Sequence, residues 1–391
     1  MKLVVIGLGQ CGGRIADEFA RLNRKAQSQR GIDIVTGAFA VNADIADLSG
    51  LTRIKPDYQH RILIGGRKTG GHGVGKINEL GAEIAKEDTD KVVDAVRTTK
   101  RLTEVDAFLL VAGAAGGTGS GAIPVLTQAI KERFTDKPVY DLIILPFEHE
   151  EETEERTTYN AATCLKSTYL VADAVILVDN QRYTIRESSI GSNLSKINAL
   201  IAKPFYNLLC AGEEKNPKHI GAKLLDAGDI IQTLVGWTVI SYSESRLSLL
   251  KFLFERTRDF RKKAGEVQKG TQAMDEAMSR LSLKCNSADS KRALYLVTAP
   301  SKEMSVDLIK ELGIHLKDLA PDAIIRSGDY PWGRGSLDVS VILSELSDVA
   351  KVRDYFTRTL SLISTMQQRQ EGIESDRIDI DISLKDIPSL L

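Results

Sequence analysis

Two glycine-rich turns, each set between an apolar run and a helical stretch, constrain this chain more than any other feature. The first follows Leu3-Val4-Val5-Ile6 and reads Gly7-Leu8-Gly9-Gln10-Cys11-Gly12-Gly13-Arg14 before the helical stretch beginning Ile15-Ala16. The second follows Ala107-Phe108-Leu109-Leu110-Val111-Ala112 and reads Gly116-Gly117-Thr118-Gly119-Ser120-Gly121 before Ile123-Pro124-Val125-Leu126. A strand, a glycine turn and a helix N-terminus together form an anion site. Glycine lets the backbone approach oxygens, the first N–H groups of the helix point outward, and the helix dipole favours negative charge. The hydroxyls of Thr118 and Ser120 can add hydrogen bonds. Both turns read as phosphate cradles.

Glycine spacing alone leaves other readings open. Gly7 to Gly12 spells the fingerprint of a dinucleotide-binding fold, which also requires an acid about 20 residues beyond it. The next apolar run, Val35 to Val41, ends in Asn42-Ala43-Asp44, too far along to serve. A third cluster, Gly70-Gly71-His72-Gly73-Val74-Gly75-Lys76, matches the first part of a Walker loop, but Ile77 stands where that loop needs a magnesium-binding hydroxyl. This segment reads as a glycine loop near the ligand, with Lys76 solvated.

Apolar runs predict strands at Leu3 to Ile6, Val35 to Val41, Arg61 to Ile64, Ala107 to Val111, Tyr140 to Leu145 and Ala174 to Val178, alternating with helical patterns. That alternation predicts an α/β fold, a Rossmann-like doubly wound sheet that is mostly parallel. Ligands bind at the carboxyl edge of such sheets, where both glycine turns, Asn42 to Asp44 and Asp179-Asn180 would lie. Ser192 to Cys210 reads as a long helix, with Pro204 bending it or restricting its start. Ser243 to Lys263 reads as an amphipathic helix carrying Leu247, Leu250 and Phe254 on one face. Strands at Leu294 to Val297, Ala323 to Ile325 and Leu337 to Leu343 and a helix at Val349 to Met366 complete a second, smaller α/β domain. The strict alternation Arg377 to Ile382 predicts an edge strand.

The order of motifs resembles the tubulin and FtsZ superfamily. Gly116 to Gly121 resembles its signature loop, and Gly9-Gln10-Cys11-Gly12 is similar to the first loop of eukaryotic tubulin. Ala40-Val41-Asn42-Ala43-Asp44, Leu145-Pro146-Phe147, Val178-Asp179-Asn180 and Ile197-Asn198-Ala199 resemble further nucleotide segments. Leu225-Asp226-Ala227-Gly228-Asp229 resembles the FtsZ synergy loop. The mixture of tubulin-like Gln10-Cys11 with FtsZ-like Asp226 and Asp229 is most similar to the archaeal CetZ group.

The resemblance implies a GTP-binding domain over residues 1–190, a central helix and synergy loop over 191–234, a C-terminal domain over 235–366 and a tail over 367–391. It implies GTP and GDP as ligands, with Mg²⁺ held through the phosphates. Gly9, Gln10, Cys11, Gly12, Gly13 and Arg14 would cover phosphates, with Gln10 and Cys11 near base or sugar. Gly116, Gly117, Thr118, Gly119 and Ser120 would hold the β and γ phosphates. Asn42 and Asp44 would join the site, Glu152 and Arg156 would stand at the ribose, with the other glutamates of the run Glu148 to Glu155 as alternatives to Glu152, and the amides of Asn180 and Asn198 suit a guanine edge. Asp226 and Asp229 would act on the nucleotide of the next subunit in a head-to-tail protofilament, orienting the attacking water. The competing reading of these two acids is a cap on the following helix. The implied activity is GTP hydrolysis activated by assembly into cytoskeletal filaments that control cell shape. A cell-division filament and a non-polymerising nucleotide-binding regulator remain alternatives.

Bulk properties narrow the class further. The 391 residues carry a net charge of −1, and no basic stripe interleaved with aromatics appears, which disfavours nucleic acid as a partner. No apolar run is long enough to span a bilayer, so direct membrane insertion is not expected. Cys11, Cys164, Cys210 and Cys285 lack metal-ligand spacing, as expected of a reduced, cytoplasmic protein. The ending Lys385-Asp386-Ile387-Pro388-Ser389-Leu390-Leu391 faintly resembles the adaptor-binding peptide of FtsZ, so an adaptor partner is one expectation for the tail and docking on its own domain is the other.

Overall fold

Continuous burial of short apolar runs sets the architecture. Every residue of β1 (Leu3–Leu8), β5 (Val139–Leu145) and β6 (Ala174–Asp179) is buried, as required of parallel strands covered on both faces. The computed structural model describes residues 1–183, 190–246, 270–332 and 335–363. Its other strands are β2 (Val35–Asn42), β3 (Arg61–Leu63), β4 (Ala107–Gly113), β7 (Gly236–Arg246), β8 (Arg292–Ala299), β9 (Ile324–Pro331) and β10 (Ser336–Leu346). They form one ten-stranded sheet in the order β3-β2-β1-β4-β5-β6-β7-β10-β8-β9. Pairing is parallel from β3 through to β7, and β10 is antiparallel to both β7 and β8. The two halves join through only three residue pairs between β6 and β7.

The helices are α1 (Gly9–Arg30), α2 (Ile45–Ser49), α3 (Gly66–Thr69), α4 (Asn78–Glu87), α5 (Thr89–Arg97), α6 (Thr118–Arg133), α7 (Glu148–Thr153), α8 (Glu155–Val171), α9 (Ile190–Ala211), α10 (Ala227–Thr233), α11 (residues 270–279), α12 (Val306–Leu319) and α13 (residues 350–363). Alternating side chains of β1 feed two cores: Val4, Ile6 and Leu8 face α4, α6 and α8, while Leu3 and Val5 face α1 and α9. The far end of α9 reaches the amino edge of the sheet, where the carbonyl of Leu209 accepts from the Met1 amino group at 2.9 Å.

One expectation is corrected here. Ser243–Arg246 do not begin a helix; they end β7, paired with β10 over nine positions. Buried Ser243 is tolerated in the strand because its hydroxyl donates to the carbonyl of Ala273 at 2.6 Å. The remainder of that expected helix, the alternating Arg377 to Ile382 and the whole tail lie outside the described residues.

Asp141 on β5 is a buried acid with incomplete hydrogen bonding. It is fully buried, one oxygen accepts from the Thr127 hydroxyl at 2.6 Å, and the other has no partner. Burial pushes its carboxyl well above the usual carboxylate range. The folded state therefore holds a proton that the unfolded chain has lost above about pH 4, and stability falls as pH rises from there toward the raised folded value. Asp141→Asn should flatten this dependence, giving a higher melting temperature than wild type at pH 8 and a smaller difference at pH 5, measured by thermal unfolding across pH.

Candidate functional site

The β1–α1 and β4–α6 turns meet at the carboxyl edge of the sheet because glycine leaves no side chain between them. A Cβ added to Gly9 would lie 2.9 Å from the nitrogen of Gly119, and one on Gly119 would lie 2.7 Å from the carbonyl oxygen of Leu8. Neither α1 nor α6 has a side-chain cap, and neither carries an acid in its first turn. Two helix N-termini thus present unsatisfied N–H groups to the same space, with their dipoles aligned for an anion. At Gly116 an added Cβ would meet nothing within 4 Å, so the turn is open toward the cleft.

The cleft has a volume of about 320 Å³. Of the residues expected at a site, Gly9, Gln10, Cys11, Asn42, Asp44, Gly116, Gly117, Thr118, Gly119 and Asn180 line it. Asp44 caps α2 by accepting from the Asp47 backbone N–H at 3.1 Å. Asp47 in turn accepts from the Gln10 amide at 2.6 Å and the Asn42 amide at 3.0 Å, tying the first cradle to the β2–α2 turn. Burial, reinforced by the charge of Glu150 and opposed by Arg14, pushes the Cys11 thiol up to about 12, so it stays protonated and unreactive near neutral pH.

Other expected residues lie elsewhere. Gly12, Gly13 and Arg14 sit along the first turns of α1 outside the lining, and Gly12 packs on the carbonyl of Val111. The Ser120 hydroxyl turns back to donate to the Gly116 carbonyl, so it shapes the cradle and does not face the cleft. Glu152 points outward from α7 and does not line the cleft; Glu150 does. The reason is local: the Glu150 carboxylate folds back onto the Phe147 N–H at 2.9 Å, bringing position 150 inward. Arg156 is paired with Glu79 and its guanidinium lies over Tyr159, 5.2 Å from the ring centre, outside the lining. Asn198 is buried on α9 and also outside the lining.

Asp226 and Asp229 occupy the opposite edge. Asp226 caps α10, accepting from the Asp229 N–H at 2.9 Å, as the capping reading expected. Asp229 lies 3.5 Å from the Arg326 guanidinium. Ile230 of α10 and Leu234 just after it pack with Met1 and Leu3, at the amino end of β1. The cleft lies at the other end of that strand, roughly 20 Å away at 3.3 Å per residue. These acids cannot reach the cleft of their own chain.

Sequence reasoning missed Asp47 and Asn160 and set Glu152 ahead of Glu150 within the acidic run; Lys76, read as solvated on a loop near the ligand, lines the cleft and is 44% exposed. Asn160 is fully buried on α8, and its amide donates to the carbonyls of Lys76 at 2.8 Å and of Ala115 and Gly116 at 3.1 Å each. A buried asparagine inside a helix is disfavoured by propensity, which is the signal that could have flagged it.

Two adjacent matches and a set of relatives follow the same layout. Residues 2–184 match the Tubulin/FtsZ family, GTPase domain, and residues 187–360 match the tubulin-like CetZ C-terminal domain. The tubulin-like protein CetZ1 of Haloferax volcanii is 34% identical over 368 residues, 90% of each chain. The chain belongs to the tubulin-like CetZ family. The structure of CetZ1 from Haloferax volcanii, a GDP-bound monomer, superposes with a TM-score of 0.79 at 31% identity, covering 93% of this chain and 99% of that one. The structure of CetZ2 from the same organism, a GTPγS-bound protofilament, superposes with a TM-score of 0.81 at 28% identity, covering 94% and 100%. The cleft of this CetZ family member is therefore built on a GTPase domain.

Asn160 holds this cleft together by fastening the Lys76 segment to the second cradle. Asn160→Ala should lower the unfolding free energy by about 2 kcal/mol in urea titrations and speed amide exchange at Gly116 and Gly117.

Proposed function

We propose that this chain binds GTP in the carboxyl-edge cleft, assembles head to tail, and hydrolyses GTP when a second copy brings Asp226 and Asp229 to that cleft. The observation that carries this reading is the separation of parts: an anion cradle at one edge of the sheet and an acid pair at the other. A head-to-tail contact joins these two edges between copies, and because it is heterologous it need not close. The GDP-bound CetZ1 and the GTPγS protofilament of CetZ2 support the choice of nucleotide and the mode of assembly.

The residues fit a nucleoside triphosphate. The uncapped N-termini of α1 and α6 suit its phosphates, and the space beside Gly116 leaves room for them. Asp44, Asp47 and Glu150 would repel bare phosphate, so they suit a nucleotide accompanied by Mg²⁺ or contacts to ribose hydroxyls. Mg²⁺ bound through the phosphates would neutralise developing charge there. This chain's own contribution is positioning: the cradles fix the phosphates, Asn180 offers an amide to the base, and an incoming acid orients water. Asp229 suits the water-orienting role better, since Asp226 is committed to its cap.

In the cell the reading is a cytoplasmic filament that controls shape, through self-association. No helix among the described residues is long and apolar enough to cross a membrane. An adaptor acting through residues 367–391 is an additional expectation of the resemblance.

GTP turnover per molecule, measured as protein concentration is varied, tests the shared site: it should rise steeply above a threshold concentration. Constant turnover would place every catalytic group within one chain and favour a non-polymerising nucleotide-binding regulator. Asp229→Ala should bind GTP as wild type does, hydrolyse it at least about tenfold more slowly, and form filaments that persist on light scattering. Asp226→Asn keeps the helix cap and should separate capping from catalysis.

A further inference from the structure

Among the described residues lining the cleft, Lys76 is the one cation; Asp44, Asp47 and Glu150 are the anions. Its backbone lies in the left-handed region at φ 61°, where a side chain is strained and glycine is not. Asn160 holds its carbonyl beside the second cradle, and a Cβ on Gly117 would lie 2.9 Å from its carbonyl carbon. A lysine thus occupies a position that the backbone would concede more readily to glycine, against the N-terminus of α6. Strain of this kind persists where the surrounding structure enforces it, and it points to a role for the side chain.

The present partner of that side chain is Glu154, at the junction of α7 and α8. Both members of the pair are 44% exposed, and an exposed pair is worth little. An ammonium on a flexible four-carbon stem can leave such a partner for a more highly charged one.

We propose that Lys76 is the counter-charge for the terminal phosphate of a nucleoside triphosphate, exchanging Glu154 for that phosphate and so distinguishing triphosphate from diphosphate. The proposal rests on the nucleotide reading above. Glu154 then acts as a competitor that holds Lys76 while the terminal phosphate is absent.

Displacement of a fluorescent guanine nucleotide by GDP and by GTPγS, on the full chain, tests this. Lys76→Met should weaken GTPγS by about tenfold and GDP far less. Lys76→Gly should lose the same discrimination while its ligand-free melting temperature equals or exceeds that of wild type, because the strain is relieved. Lys76→Arg should retain most of the discrimination, and Glu154→Gln should bind GTPγS at least as tightly as wild type. An unchanged GTPγS-to-GDP ratio in Lys76→Met and Lys76→Gly overturns the proposal. Equal losses for both nucleotides with lowered melting temperatures also overturn it, and assign Lys76 a purely structural role. If wild type displaces the probe with neither nucleotide, the nucleotide reading itself fails and takes this inference with it.

Discussion

The close approach of two strand-to-helix turns governs everything built at the carboxyl edge. Gly9 and Gly119 let the backbones of the β1–α1 and β4–α6 turns touch, so the N-termini of α1 and α6 converge on one space. Any side chain at either position would separate the turns and leave two unrelated helix ends. Convergence matters because the dipole effect falls off within a turn, and one helix end binds an anion weakly. The other components brace this contact. Gln10 and Asn42 share Asp47, and Asn160 ties Lys76 to Ala115 and Gly116.

The strands of the parallel half were readable because buried parallel strands are uninterrupted apolar runs, as in Leu3 to Ile6 and Ala107 to Val111. Their order along the chain puts the glycine turns, Asp44 and Asn180 at one edge of the sheet. β7 was misread at its end because Ser241, Ser243 and Glu244 weaken its apolar pattern, and its place is fixed by pairing with β10. The six glutamates between Glu148 and Glu155 offered no internal pattern to choose from. A local contact three residues away, from the Phe147 N–H to the Glu150 carboxylate, turns Glu150 inward, and six closely spaced acids hide which of them makes it. Asn160 was missed because its role is a tertiary one: its amide holds the Lys76 carbonyl, 84 residues away along the chain.

The cleft wall is also fastened from outside the GTPase domain. Helix α13 places Tyr355 and Arg358 on the carboxylate of Glu151, the latter at 2.6 Å, immediately beside Glu150. Arg358 further donates to the Thr158 hydroxyl at 3.0 Å, and Lys351 pairs with Asp179 at 2.9 Å, next to Asn180. Glu151 is only 7% exposed, so its two partners offset a substantial desolvation cost. The helix that closes the C-terminal domain therefore grips both loops that carry the Glu150 and Asn180 side of the cleft.

This arrangement bears on how assembly and nucleotide can be linked. The acid pair at the amino edge sits on α10, and α10 packs against β8 and the Met1 end of β1. The cleft at the carboxyl edge is braced by α13, which packs in the same core as β8 and β10. One continuous sheet therefore lies between the two edges, and α9 spans it from the end following β6 to the carbonyl of Leu209 beside Met1. A change at either edge must be carried by movement of whole elements, since a close-packed interior transmits strain with little local give. The two halves of the sheet meet at the three-pair junction of β6 with β7. Movement of one half of the sheet against the other at that seam would alter the grip of α13 on Glu151 and Asp179, and with it the cleft wall. Any coupling through this seam would be reciprocal: a nucleotide state that favoured one setting of the halves would itself be favoured by contacts that select that setting.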